Sequence, residues 1–207
     1  GRFEREKNLE FLAKALAMFL HHNTRAHFLI IGYGAMEERL NEIFYSEGLL
    51  KRVHFAGKMT GDELIDAYHA MDVFVFSSKT ETQGMVLAEA MAAGVPVIAL
   101  DAVGVREVVK NGINGHLIFN DSIEFFSFIL SETSRMTADK LAHFRSSALD
   151  TAQKFTLVDC VDKVTAVYER LIRQKISLVR DDSAWKNAVE QFKAEWNLLA
   201  NFTSAVG

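Results

Sequence analysis

The stretch DVFVFSSKTETQGMVLAEAMAAGVPVIAL, Asp72 to Leu100, changes its periodicity three times. DVFVFSS is apolar at consecutive positions, which suits a strand covered on both faces, as in a parallel sheet. KTETQG is a polar loop, MVLAEAMAA carries the helical run near Gly84 to Ala93, and VPVIAL is a second strand. Strand, loop, helix and strand in that order make a βαβ unit, with a right-handed crossover expected.

The same alternation extends upstream. Lys7 to His21 places Leu9, Leu12, Ala13, Leu16, Phe19 and Leu20 on one helical face, and AHFLIIG follows as a short strand. A polar helical stretch near Ala35 to Ser46 and the strand RVHFAG come next. A helix is expected from Thr60, where Thr60 and Glu63 form a T-x-x-E capping box ahead of Leu64 and Ala67. Beyond Phe119 strand signals fade and helical periodicity runs through Ile123 to Leu130, Ala138 to Lys154 and Leu157 to Ile172. A last helix aligns Trp185, Val189, Phe192, Trp196 and Leu199. The expected fold class is α/β, a Rossmann-like doubly wound parallel sheet with helices on both faces. Residues 1–175 are expected to form that domain and 176–207 a terminal helical segment.

Composition narrows the classes of function. The 207 residues are 49% hydrophobic, enough to bury a substantial core, and the net charge of −4 gives no basic field to gather nucleic acid. One cysteine, Cys160, precludes an intrachain disulfide, and no Cys/His cluster has zinc-ligand spacing, so neither a metal nor another cofactor is expected. A reducing, cytoplasmic compartment is the expectation. No apolar run approaches the ~20 residues that span a bilayer. The chain opens GRFEREKN without a methionine, and is expected to be a piece of a longer polypeptide.

In an open parallel sheet the ligand crevice lies beyond the carboxyl ends of the strands. There Glu81 falls in the loop and Glu89 two turns into the helix. The N–H groups of Gly84, Met85 and Val86 are the orphan donors of the helix start, suited to a phosphate or sugar oxygen, and Gly84 permits close approach. Carboxylates accept hydrogen bonds from sugar hydroxyls, and Glu89 could take a vicinal diol. The residues alone leave a second reading open, in which both acids are solvated. Arg2 and Lys7 in GRFEREKN offer a fork and a point charge to a pyrophosphate, or are ordinary surface bases. The loop Lys58 to Gly61 in HFAGKMTGDE faces the same crevice, where its backbone could read a nucleobase edge. Gly32-Tyr33-Gly34 lacks the third glycine of a dinucleotide fingerprint and reads as a tight turn. Phe125, Phe126 and Phe128 read as a packing surface.

Together, GRFEREKN, HFAGKM, FSSKTETQGMVLAEAMAAGVPVIA and GVREVVKNGINGHLI strongly resemble the carboxyl-terminal domain of retaining family-4 glycosyltransferases of the GT-B fold. The likeness runs from about Gly1 to Phe119 and centres on an E-x7-E signature, Glu81 and Glu89. It implies that Arg2 and Lys7 hold the donor diphosphate, Glu89 binds ribose hydroxyls, and Glu81, the catalytic residue of the site, binds and positions the transferred sugar. The backbone of Gly84, Met85 and Val86 would meet sugar and phosphate, and that of Lys58 and Met59 the base. The resemblance further implies metal-independent transfer from a nucleotide diphosphate sugar, UDP-glucose type, to a sugar or glycolipid acceptor. SKTETQG is especially like bacterial glucosyltransferases acting on diacylglycerol, which implies peripheral contact with the inner membrane face. A separate amino-terminal domain is expected, with the helix after Ala184 crossing back onto it. One departure is Val103–Gly104, where the family usually has paired glycines. Two rivals stay open: an epimerase, which is expected to lack the E-x7-E pattern, and a non-catalytic nucleotide-sugar-binding module.

Overall fold

A computed structural model of the chain describes residues 1–180, 186, 187, 189–191 and 193. It divides into two compact units, Gly1–Phe155 and Thr156–Gly207. The first unit alternates helices and strands: α1 (Leu9–His22), β1 (Phe28–Ile30), α2 (Glu37–Ser46), β2 (Val53–Phe55), α3 (Asp62–His69), β3 (Phe74–Phe76), α4 (Met85–Ala92), β4 (Val97–Leu100), α5 (Val103–Val108), β5 (Gly115–Ile118), α6 (Ile123–Ser134) and α7 (Ala138–Ala152). In the second unit, α8 spans Leu157–Arg180.

Among the described residues all strand pairing is parallel. β1 pairs with β2 in one ladder, and β3, β4 and β5 pair in that order in another. Side-chain packing joins the two ladders: Ile30 and Val53 share one core with Ile98, Leu100 and Ile118, closed over by Leu16 and Leu20 of α1, Phe44 of α2 and Phe126 of α6. A second core takes the alternate residues of β4, Val97 and Ala99, with Leu87 and Met91 of α4, Val105 and Val108 of α5 and Ala148 of α7. Successive strand residues point to opposite faces. The fully buried β4 therefore feeds both cores, and helices cover both sides of parallel strands, as the doubly wound reading requires.

The differences from expectation are local. The Thr60–Glu63 capping box does not form; Gly61, with φ 59°, takes the N-cap, and its carbonyl accepts the N–H groups of Leu64 and Ile65. The chain turns left-handed at Gly61, so the helix starts at Asp62. α5 and β5 were not expected as separate elements. Six residues are too few for α5 to show a helical period, and β5, GHLI, opens in glycine and histidine rather than in an apolar run. Of the last helical stripe, Val189 is helical, whereas Trp185, Phe192, Trp196 and Leu199 lie outside the described residues.

Candidate functional site

The carboxyl ends of the strands form a crest on which the sequence-predicted residues fall. Directly after β3 stands Ser77, whose buried hydroxyl donates to the carbonyl of Lys7 at 2.7 Å and reaches that of Asn8 at 3.2 Å. Asn8 has φ 54° and turns the chain from a 3-10 turn at Arg5–Lys7 into α1. The strand end thus fixes the backbone of Lys7, a residue seventy positions away. From there the Lys7 Nζ reaches Glu81 Oε2 at 3.3 Å, with both side chains largely shielded (28% and 17% exposed).

The other oxygen of Glu81, Oε1, accepts the N–H of Gly84 at 3.3 Å. Gly84 is the N-cap of α4 and has φ 63°. Burial pushes the Glu81 carboxyl up, but the Gly84 N–H and then Lys7 outweigh it and hold the group below its ordinary range. Glu81 is therefore ionised at neutral pH.

The loop that carries Glu81 is seated against α5. The N–H of Gly104 donates to the Glu81 carbonyl at 3.1 Å. A Cβ on Gly104 would come within 2.6 Å of the Thr82 carbonyl carbon, and one on Gly84 within 3.0 Å of the Gly104 oxygen. Both positions require glycine for this approach. Lys79 pairs with Asp121, tying the loop also to the segment after β5.

Glu89 is exposed on α4, and its Oε2 accepts the hydroxyl of Tyr68 from α3 at 2.9 Å. Burial first, and the Glu89 charge second, push the Tyr68 hydroxyl up, so Tyr68 remains a donor throughout the neutral range. Glu89 also lies within electrostatic reach of the Gly1 amino group, as does Lys7. The segment Gly1–Phe3 runs along the end of β1: Gly1 N donates to Ile31 O at 2.8 Å, Arg2 bridges Tyr33, and Phe3 N donates to Tyr33 O at 2.8 Å. Gly32 and Gly34 make that seat, since a Cβ on either would overlap the segment's backbone. The tight turn read at Gly32–Gly34 thus carries Arg2.

The structure brings Lys7, Glu81 and Gly84 into direct contact and sets Glu89 on the same side as Gly1. Arg2 is exposed beside Gly1, and its side chain makes no hydrogen bond among the described residues. Lys58 and Met59 follow β2 on the same crest, where Gly57 O accepts the Gly32 N–H at 2.7 Å. Met85 is half exposed and Val86 half buried at the start of α4. Ser77, Tyr68 and Gly104 were missed. A polar pair closing an all-apolar strand signals Ser77; nothing in the sequence links Tyr68 to Glu89. Among the described residues no group of three or more His, Cys, Asp or Glu is placed to hold a metal ion.

Residues 1–134 match the family described as Glycosyl transferases group 1. An uncharacterised glycosyltransferase of Methanocaldococcus jannaschii is 35% identical over 119 residues, 58% of this chain and 30% of the relative. A D-inositol 3-phosphate glycosyltransferase of Catenulispora acidiphila is 29% identical over 185 residues, 83% of this chain and 43% of the relative. The chain therefore spans less than half the length of these relatives. Among solved structures, Anabaena HepE in complex with UDP and glucose superposes with a TM-score of 0.71 at 26% identity, over 82% of this chain and 46% of that one. The pneumococcal O-GlcNAc transferase in complex with UDP and GlcNAc gives 0.74 at 23% identity, over 83% of this chain and 34% of that one, a likeness of fold.

Proposed function

The chain belongs to the group 1 glycosyl transferases, and from that premise we propose that it is the donor half of a retaining, metal-independent hexosyltransferase of family 4. It binds a nucleotide diphosphate sugar of UDP-glucose type and passes the hexose to a lipid or saccharide acceptor. The observation that carries this reading is the convergence of Lys7 and the Gly84 N–H on the ionised Glu81 at the start of α4. A cation from the turn before α1, a donor at the start of α4 and a carboxylate, meeting at one point, suit a ligand that joins an anion to hydroxyls.

In this reading the donor diphosphate docks at the α4 start and draws Lys7 to itself, with Arg2 alongside. Glu81 is released to accept hydroxyls of the hexose and hold the anomeric carbon in place. As the sugar–phosphate bond breaks, charge builds on the departing diphosphate, where Lys7, Arg2 and the N–H groups of Gly84, Met85 and Val86 stabilise it. Glu89, with Oε2 already oriented by Tyr68, accepts the ribose diol. The backbone of Lys58 and Met59 lines the base. Residues 1–175 form the nucleotide-sugar-binding part, and the acceptor site lies on a separate amino-terminal domain. The protein is cytoplasmic, with peripheral contact at the inner membrane face when the acceptor is a lipid. Support for UDP and glucose comes from the superposed Anabaena complex.

Titration calorimetry with UDP-glucose and GDP-mannose, on the wild type and on Glu89→Ala and Arg2→Ala, tests this. UDP-glucose is expected to bind, and each substitution to weaken it about tenfold. No binding of either nucleotide sugar, or undiminished binding by both variants, would reject the donor site. Hexose transfer by the full-length polypeptide then separates an enzyme from a nucleotide-sugar-binding module.

A further inference from the structure

We infer that Val103 is a specificity-determining residue, a stiff apolar lip beside Glu81 that admits a compact hexose on the donor and turns away one enlarged by an N-acetyl group. The inference rests on the donor-site reading above and deepens it.

Val103 opens α5 with 72% of its surface exposed. The residues around it are not free to move. Gly104, its neighbour, donates its N–H to the Glu81 carbonyl at 3.1 Å and packs so closely on the Thr82 backbone that a Cβ would sit 2.6 Å from it. The Gly104 oxygen in turn is 3.0 Å from where a Cβ on Gly84 would lie. Val103 is thus held one residue, roughly 3.8 Å of backbone, from the loop that bears Glu81 and the α4 start. From below, Ala102, Val105 and Val108 anchor the same turn in the core. From the side, Arg106 clamps Asp101, donating Nε to Oδ1 at 2.5 Å.

A valine so exposed contributes little to the core, where Val105 and Val108 are fully buried. Its value is its shape. A β-branched side chain has restricted χ1 freedom, so on a pinned backbone it presents a fixed apolar surface. With Met85 half exposed across the Gly84–Gly104 contact, it borders the hexose position with groups that offer no hydrogen bond. A substituent pressed there loses its water and finds no partner. A single methylene against such a wall gives discrimination of roughly 10- to 200-fold, and the N-acetylamino group is larger than the hydroxyl it replaces by more than that.

The test is calorimetric titration of the whole chain with UDP, UDP-glucose and UDP-N-acetylglucosamine, for wild type, Val103→Gly and Val103→Phe. Wild type is expected to prefer UDP-glucose. Val103→Gly is expected to shift the ratio of the two Kd values toward the N-acetylated donor about tenfold. Val103→Phe is expected to weaken UDP-glucose by a similar factor. UDP alone should bind all three proteins within about twofold, which also reports that each is folded. A Kd ratio unmoved in Val103→Gly together with undiminished UDP-glucose binding by Val103→Phe, while UDP binds normally, would overturn the role of Val103. Failure of wild type to bind UDP and both UDP sugars would instead overturn the donor-site reading, and this inference with it.

Discussion

Ser77 and Ser78 stand side by side at the end of β3 and make opposite demands. The Ser77 hydroxyl holds two carbonyls of the Lys7–Asn8 turn, whereas the Ser78 hydroxyl is buried with no partner among the described residues. Ser77→Ala is expected to cost about 1–2 kcal/mol, lowering Tm by several degrees in a thermal melt. Ser78→Ala removes a desolvated, unsatisfied group and is expected to leave Tm unchanged or raised in the same melt. Gly104→Ala forces a Cβ into the Thr82 backbone. It is expected to destabilise by about 1–3 kcal/mol, while Val103→Ala at the exposed neighbour shifts Tm little. At this scale the sequence displays the acids and bases of the crest, because their spacing within one loop or one helix is local. Tyr68 was hidden, and so was the partner of Ser77, because the contacts span 21 and 70 residues and only the folded sheet brings them together.

β5 and α7 meet through His116 and Phe144, whose rings lie 5.4 Å apart. The His116 Nε2 is buried without a hydrogen-bond partner among the described residues. Burial, and then Lys140, push its proton affinity below the ordinary 6.5. The folded chain therefore holds His116 neutral where the unfolded chain has begun to protonate it. Stability from this contact is complete above about pH 6.5 and declines as pH falls below that value. Urea midpoints are expected to drop between pH 8 and pH 5, and the drop to be smaller in His116→Phe, read from paired denaturation curves. The long elements were legible from pattern: α1 and α6 show an apolar stripe over three turns or more. α5 and β5 were not: six residues make fewer than two helical turns, and β5, opening Gly115-His116, lacks the unbroken apolar run that marks β3 and β4. The start of α3 was misread for a different reason: the capping box is a local preference, and the left-handed turn at Gly61 overrides it.

Over the described residues, both cores draw every buried residue from within Gly1–Phe155. A chain ending at Phe155 is therefore expected to unfold in one cooperative transition, with Tm within a few degrees of the first unit's transition in the full chain, by calorimetry. A broad, non-cooperative melt would show that the cores are incomplete without the later residues. The fold class was legible at this scale because β3 and β4 are apolar on both faces, and only a strand sandwiched between helix layers tolerates that. β4 is the extreme case: it is paired on both edges and buried at all four positions. Its amide protons have no route to solvent short of global unfolding, so deuterium is expected to enter them last. Substitution in the loops above it therefore leaves untouched the strand that decides whether the molecule endures, and the selectivity of the proposed donor site can drift long before the frame must.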